Sequence, residues 1–159
     1  LTTSGQPQFD HERLHVYQLS LKFAAFAIAQ VGNLSGELRS IRDQLVRSSQ
    51  SIPLNIAEGN EKRSPAERKR YFEIARGSAM ESAASLDVLV AIGAATIEQI
   101  ADGKAMLLRI VAMLSKMTES LTQTVREETV PYGEVSSERI DYDYEHDYEH
   151  EHEHERAGG

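Results

Sequence analysis

His11-Glu12-Arg13-Leu14-His15 is the first set of residues in this 159-residue chain whose types and spacing could do chemistry. On an α-helix, positions four apart share a face, so two such histidines could hold zinc while Glu12 served as the base of a metalloprotease. The surroundings argue against it. Only ten residues precede the motif, no strand pattern beside it would hold a substrate, and no third ligand stands out. His150-Glu151-His152-Glu153-His154 repeats the pattern inside a repetitive C-terminal stretch, so the match carries little weight in this chain. The expectation is a solvent-facing first turn and no metal site.

Asn55, Glu58, Arg76 and Glu81 form a second polar set. Two of its carboxylates could be paired as acid and base. The structural alternative has Glu58 and Arg76 in a cross-helix ion pair and Asn55 bonding backbone freed near Pro53, because buried polar groups need partners. The chain has no Ser-His-Asp arrangement and no Gly-rich phosphate loop. It also has no cysteine, which excludes disulfides, thiol catalysis and Cys-based zinc sites. The structural alternative is therefore preferred, with no catalytic residue, no cofactor and no enzyme expected.

A third set is electrostatic. Residues 39–76 hold nine basic and five acidic side chains, among them Arg39, Arg42 and Arg47. Lys62, Arg63, Arg68, Lys69 and Arg70 are the candidate nucleic-acid contacts, as cations that would pair with phosphates. One such patch binds weakly, whereas a ring of copies adds weak contacts by avidity. Only Tyr71 and Phe72 lie among them, so recognition by base stacking is not expected. An ordinary solvated face is the alternative. Residues 127–159 are opposite in sign, with twelve acidic and two basic residues, against thirteen acidic and fifteen basic in residues 1–126. The chain reads as a near-neutral body with an acidic, His-rich tail of low complexity, expected to be disordered. The tail's four histidines could take a divalent metal loosely, or the tail could serve only to solubilise.

These residues must be positioned by helices, since helical spacing fills the body and hairpin dipeptides between alternating apolar runs are missing. A first helix is predicted from about 10, with Asp10 as N-cap, to about 31. It carries two apolar stripes, Leu14, Tyr17, Leu21, Ala24, Ile28 and Val31, and Val16, Leu19, Phe23 and Phe26. At about 100° per residue the two lie on nearly opposite sides, and a monomeric bundle buries only one; a single wide core-facing arc is the alternative. The Val16, Leu19, Phe23 and Phe26 stripe is assigned to a subunit interface. A second helix, capped by Ser35, should run from about 36 to 58, with Pro53 inside it and Gly59-Asn60 ending it. A third starts at the capping box Ser64-Pro65-Ala66-Glu67 and runs to about 91. Its small residues from Gly77 to Ser85 let a neighbouring backbone approach. The capping box Thr96-Ile97-Glu98-Gln99 opens the fourth. Four amphipathic helices joined by short loops must alternate in direction, so the fold class is all-α, an antiparallel up-down-up-down four-helix bundle. The domains are expected at 1–9 (flexible), 10–126 (bundle) and 127–159 (tail).

Arg47-Ser48-Ser49-Gln50-Ser51-Ile52-Pro53-Leu54-Asn55-Ile56-Ala57-Glu58-Gly59 resembles the signature of a known family. Arg63-Ser64 and Tyr71-Phe72-Glu73-Ile74-Ala75-Arg76-Gly77-Ser78, followed by Glu81, resemble its second block. The family is that of bacterial four-helix-bundle proteins encoded in intervening sequences of 23S ribosomal RNA genes, related to accessory proteins of diversity-generating retroelements. The resemblance covers residues from about 9 to 125 and leaves the tail unmatched. It implies a bundle often assembled as a ring of five subunits, without enzymatic activity. For the retroelement relatives it implies binding to nucleic acid and to a reverse transcriptase. In the signature, Arg47, Pro53, Asn55, Glu58, Gly59, Arg76, Gly77 and Glu81 are expected to be structural. The expected partners are thus a second copy of the chain and RNA or a ribonucleoprotein. A protein-binding accessory subunit of a reverse transcriptase is the alternative. No apolar run approaches the roughly 18 residues that cross a bilayer, and residues 1–8 lack the features of a signal peptide, so a cytoplasmic location is expected.

Overall fold

The computed structural model describes residues 8–129. Among the described residues there are four α-helices and no strand: α1 (His15–Val31), α2 (Arg39–Glu61), α3 (Pro65–Ala91) and α4 (Ile97–Thr129). Short 3-10 turns at Asp10–Arg13 and Gly36–Leu38 lead into α1 and α2. Each helix packs on the next in chain order, and α1 closes against α4, which completes a four-helix bundle. Its alternating direction is visible in the contacts. Ser48 meets Ser82, Ser51 meets Ser78, and Gly59 lies against Phe72, so rising numbers on α2 meet falling numbers on α3.

The helix ends are set by local chemistry, but Ser35 makes no side-chain cap and α2 starts at Arg39, and α4 runs on to Thr129, past the expected boundary at 126. Two further departures concern Asp10 and Gly59-Asn60. Both halves of the box at α4 form: the Thr96 hydroxyl accepts from the Gln99 N–H at 3.2 Å, and the Gln99 side chain accepts from the Thr96 N–H at 2.8 Å. At α3 the Ser64 hydroxyl accepts from the Glu67 N–H at 3.5 Å, with Pro65 in the first turn. That helix stops because Gly93 adopts φ +73°, a left-handed conformation open to glycine. The turn lets Ala94 N–H reach the Leu89 carbonyl at 2.8 Å and Gly93 N–H reach Val90 at 3.0 Å. The first of these two is Asp10, which lies inside the 3-10 turn, while Phe9 N–H is capped by the Glu12 carboxylate at 2.7 Å. The second is Gly59-Asn60, where α2 runs on to Glu61. Gly59 is buried, and a Cβ there would meet Phe72 Cε1 and Tyr71 Cβ at 2.9 Å. The glycine serves a close helix approach rather than a stop.

The core settles which stripe of α1 faces inward. Val16, Leu19 and Phe23 are 3%, 5% and 0% exposed, and Phe26 rests on Gly103 of α4. The assignment of Val16, Leu19, Phe23 and Phe26 to a subunit interface is therefore corrected: they belong to the bundle core. The reason is that α1 lies between α2 and α4, and this stripe is the one turned towards them. On the other stripe, Leu21 and Ile28 remain 47% and 46% exposed, while Val31 is buried. Phe23, Leu45, Ile52, Ile56, Phe72, Leu86, Ile110 and Leu114 fill the interior. Each such side chain contributes about 1.5–3 kcal/mol on burial.

Between α2 and α3 the packing is made of small polar residues. The hydroxyls of Ser48 and Ser82 share a buried hydrogen bond of 2.8 Å, and those of Ser51 and Ser78 a partly buried one of 2.8 Å. Ala75 and Ala79 are buried beside them. The expected run of small residues on α3 thus does allow close approach, except at Gly77. That residue is exposed, with open space where its Cβ would stand.

Candidate nucleic-acid interface

The end of the bundle that bears the basic cluster is built by the C-terminus of α2, the turn at 62–64 and the first turns of α3. The two serine pairs and Gly59 hold α2 and α3 close, so the cations project from two helix ends fixed to one another.

The five predicted contacts are not equivalent. Lys62 is committed within the protein: its Nζ lies 2.5 Å from Glu58 Oε1 and sits over the Tyr71 ring, 5.2 Å from the centroid. The hydrogen bond to Glu58 is the main reason its pKa is raised above the ordinary lysine value, with the charge of Glu58 adding to it and desolvation opposing it. Lys69 is paired with Glu73 at 3.6 Å, one turn along α3. Arg68 is half-buried, and its Nε has no hydrogen-bond partner among the described residues. Arg63 and Arg70 are exposed, and neither forms an ion pair among the described residues. The cluster therefore presents two open guanidiniums, one partly sheltered guanidinium and two lysines already held by glutamates. Pairing within a helix at i, i+4 is worth only tenths of a kcal/mol, so a phosphate could still draw Lys69 away. Lys62, bonded and stacked at once, is harder to recruit.

Of the signature residues, Pro53 and Gly59 are buried, and Arg47, Asn55, Glu58 and Glu81 are bonded to neighbours. Arg76 and Gly77 are exposed without a partner among the described residues, so the expected structural role does not extend to those two. The expected Glu58–Arg76 pair is absent. Glu58 bonds Lys62, not Arg76, and Arg76 is exposed without an ion pair among the described residues. The antiparallel register explains this. Ser51 is level with Ser78, and Gly59 with Phe72, so Arg76 stands about one turn away from Glu58. Asn55 bonds backbone, but not the Ser49 carbonyl that Pro53 frees: its Nδ2 donates to the Ser51 carbonyl at 2.8 Å and to the Ser51 hydroxyl at 3.0 Å. Pro53 is buried within a continuous α2. Glu81 accepts from Gln44 across the α2–α3 seam and lies 4.0 Å from Arg47, which donates to Gln44 at 2.5 Å. Arg42 is likewise engaged, with the Asp43 carboxylate at 2.8 Å and the Leu34 carbonyl at 3.0 Å.

The His11–His15 motif is split. His11 lies in the 3-10 turn, Leu14 is extended at φ −71° and ψ 123°, and His15 opens α1, so the two rings do not share one α-helical face. The His11 ring packs between Phe9 and Tyr17, with centroids at 5.7 and 4.8 Å, and its Nδ1 is 3.9 Å from Glu61. Among the described residues no group of three metal-ligating side chains is gathered. The His-rich stretch and residues 130–159 as a whole lie outside the described residues. Also among the described residues, no helix is long and apolar enough to cross a membrane. At the far end of the bundle a mostly apolar groove of about 440 Å³ is lined by Val90, Ile97, Ile100 and Ala101, with Lys104 bonded to Asp87 at 2.8 Å on its edge.

Sequence reasoning did not find the Lys62–Tyr71 contact. The two residues are joined across a turn, so no helical period connects them. It also missed the seating of Phe26 on Gly103, where a glycine inside a long helix was the available sign.

Residues 12–116 match the family model described as 23S rRNA-intervening sequence protein. Among solved structures, the chain is similar to a protein of unknown function from the S23 ribosomal protein family of Bacteroides thetaiotaomicron VPI-5482. The two share 27% sequence identity and a TM-score of 0.61, over 65% of this chain and 97% of the other. No curated protein matches.

Proposed function

Because the chain belongs to the 23S rRNA-intervening sequence protein family, we propose that it is a non-catalytic, homo-oligomeric binding protein that contacts RNA or a ribonucleoprotein through the α2–α3 end of the bundle. The observation that carries this reading is the pair of exposed guanidiniums, Arg63 and Arg70, beside the half-buried Arg68 on a rigid helix junction. Guanidinium groups recognise phosphate in a bidentate manner, and a fixed junction lowers the entropy lost on binding. The similar Bacteroides protein is described as a member of a ribosomal protein family, which agrees with a ribonucleoprotein partner.

Self-association supplies the remaining affinity. The exposed stripe of α1, Leu21 and Ile28, and Leu54 on the outer face of α2, 68% exposed, are the apolar positions available for a subunit contact. A ring, with five subunits as the expected number, would present Arg63 and Arg70 repeatedly around one axis. Its location is cytoplasmic in this reading.

The test is a fluorescence-anisotropy titration of labelled single-stranded RNA at several salt concentrations. Each phosphate contact removed should flatten the slope of log affinity against log salt by about 0.7 for a single strand. Arg63→Ala with Arg70→Ala should weaken binding and flatten the slope, whereas Lys62→Ala should change it little. No binding at low salt, or no effect of the arginine pair, refutes the reading.

A further inference from the structure

The register of α4 on α3 carries the end of α4 to the same end of the bundle as the basic cluster. Lys104 bonds Asp87 at 2.8 Å, and Val90, further along α3, shares a groove with Ile97 and Ile100, earlier on α4, so the two helices run in opposite directions. Stepping along both helices from that bond at equal rise brings Leu121 level with Arg70 and Arg126 level with Pro65. Thr129, the last residue of α4, therefore leaves the bundle beside the 62–64 turn, on the end that carries Arg63, Arg68 and Arg70.

Downstream of Thr129 the sequence alternates two chemistries. From 141 to 155 every odd position is Asp or Glu, and every even position is Tyr or His: Asp141-Tyr142-Asp143-Tyr144-Glu145-His146-Asp147-Tyr148-Glu149-His150-Glu151-His152-Glu153-His154-Glu155. Anion and flat ring alternate along this segment as phosphate and base alternate along a polynucleotide. An extended backbone would place the carboxylates on one side and the rings on the other. The rings can stack on guanidinium planes while the carboxylates pair with them.

We propose that residues 134–155 are an intramolecular ligand of the Arg63, Arg68 and Arg70 cluster, holding it as a polynucleotide mimic until a longer polyanion displaces them. The proposal deepens the RNA-contact reading of the same cluster. Residues 134–155 carry ten carboxylates and one arginine. The nearest end of the segment is joined to the helix that ends beside the cluster, so its effective concentration there is on the order of millimolar. Such a competitor lowers the apparent affinity for RNA without altering the cluster itself. It also favours long RNA, which can engage several subunits at once, over short fragments.

Two measurements on the full chain test this, comparing it with a full-length variant in which the ten carboxylates of residues 134–155 are changed to Asn or Gln. The first needs no nucleic acid. Phenylglyoxal modifies accessible arginines, and the rate at each is read by mass spectrometry. At low salt Arg63 and Arg70 should react at least about threefold slower in the unaltered chain, and the difference should vanish near 1 M salt, where screening reaches about 3 Å. Equal rates at low salt overturn the proposal. The second is a titration with labelled poly(U): the neutralised variant should bind at least about fivefold tighter at low salt. Equal poly(U) affinities with measurable binding overturn the competition. If neither chain binds poly(U) while the modification rates differ, the contact within the chain stands and the RNA reading fails.

Discussion

Replacing Gly59 by alanine sets two effects of known size against each other. Helix propensity alone favours alanine over glycine inside a helix by up to about 1 kcal/mol. Packing opposes it: the new Cβ would stand 2.9 Å from both Phe72 Cε1 and Tyr71 Cβ. Phe72 is 1% exposed and cannot swing aside, and the Tyr71 contact is to an atom next to the backbone. Overpacking of a filled site costs about 1–3 kcal/mol, so α2 and α3 must separate slightly and the net loss should be about 1–2 kcal/mol. For a domain of this size the melting temperature should fall by about 3–10 °C. Gly77→Ala is the matched control. Gly77 is exposed with nothing within 4 Å of its Cβ position, so propensity acts alone and the protein should gain about 0.5–1 kcal/mol. Thermal and urea unfolding of both variants, followed by circular dichroism, give the comparison. A Gly59→Ala protein as stable as the parent would refute the close approach as the reason for that glycine.

The packing sets two further outcomes. Leu21→Glu with Ile28→Glu should dissociate the assembly and leave helicity intact, whereas Phe23→Glu, at a fully buried site, should unfold the subunit; light scattering with circular dichroism separates the two. A monomeric parent at micromolar concentration would remove the basis for self-association. Ser48→Ala should cost about 1–3 kcal/mol because it strands the buried Ser82 hydroxyl, and adding Ser82→Ala should restore most of that; additive losses in a double-mutant cycle would refute the pairing.

Much of this bundle was legible from local chemistry, because caps and periods act over a few residues. The Thr96–Gln99 box and the Pro65 start of α3 stand where the sequence places them. The illegible features depended on contacts between helices. Two apolar stripes on α1 announce that one is spare, but only packing against α2 and α4 selects Phe23 for the core and leaves Leu21 outside. Glu58 and Arg76 look complementary in the signature, yet the antiparallel register keeps them apart and gives Glu58 to Lys62. Gly59-Asn60 reads as a stop because glycine ends many helices. The same missing Cβ serves here to admit Phe72. In the basic cluster, composition counts five equivalent cations, whereas geometry withdraws Lys62, pairs Lys69 weakly with Glu73, and leaves Arg63 and Arg70 open.

Ultraviolet crosslinking of the full chain to RNA in cells, with mapping of RNA-linked peptides, probes the proposed contact without choosing a ligand beforehand. RNA-linked peptides should centre on residues 62–76, with Tyr71 beside Lys62 as the expected photoreactive ring, and should disappear in the Arg63→Ala, Arg70→Ala protein. Absence of RNA-linked peptides, or linkage confined to the outer face of α4, would contradict RNA binding at the α2–α3 junction.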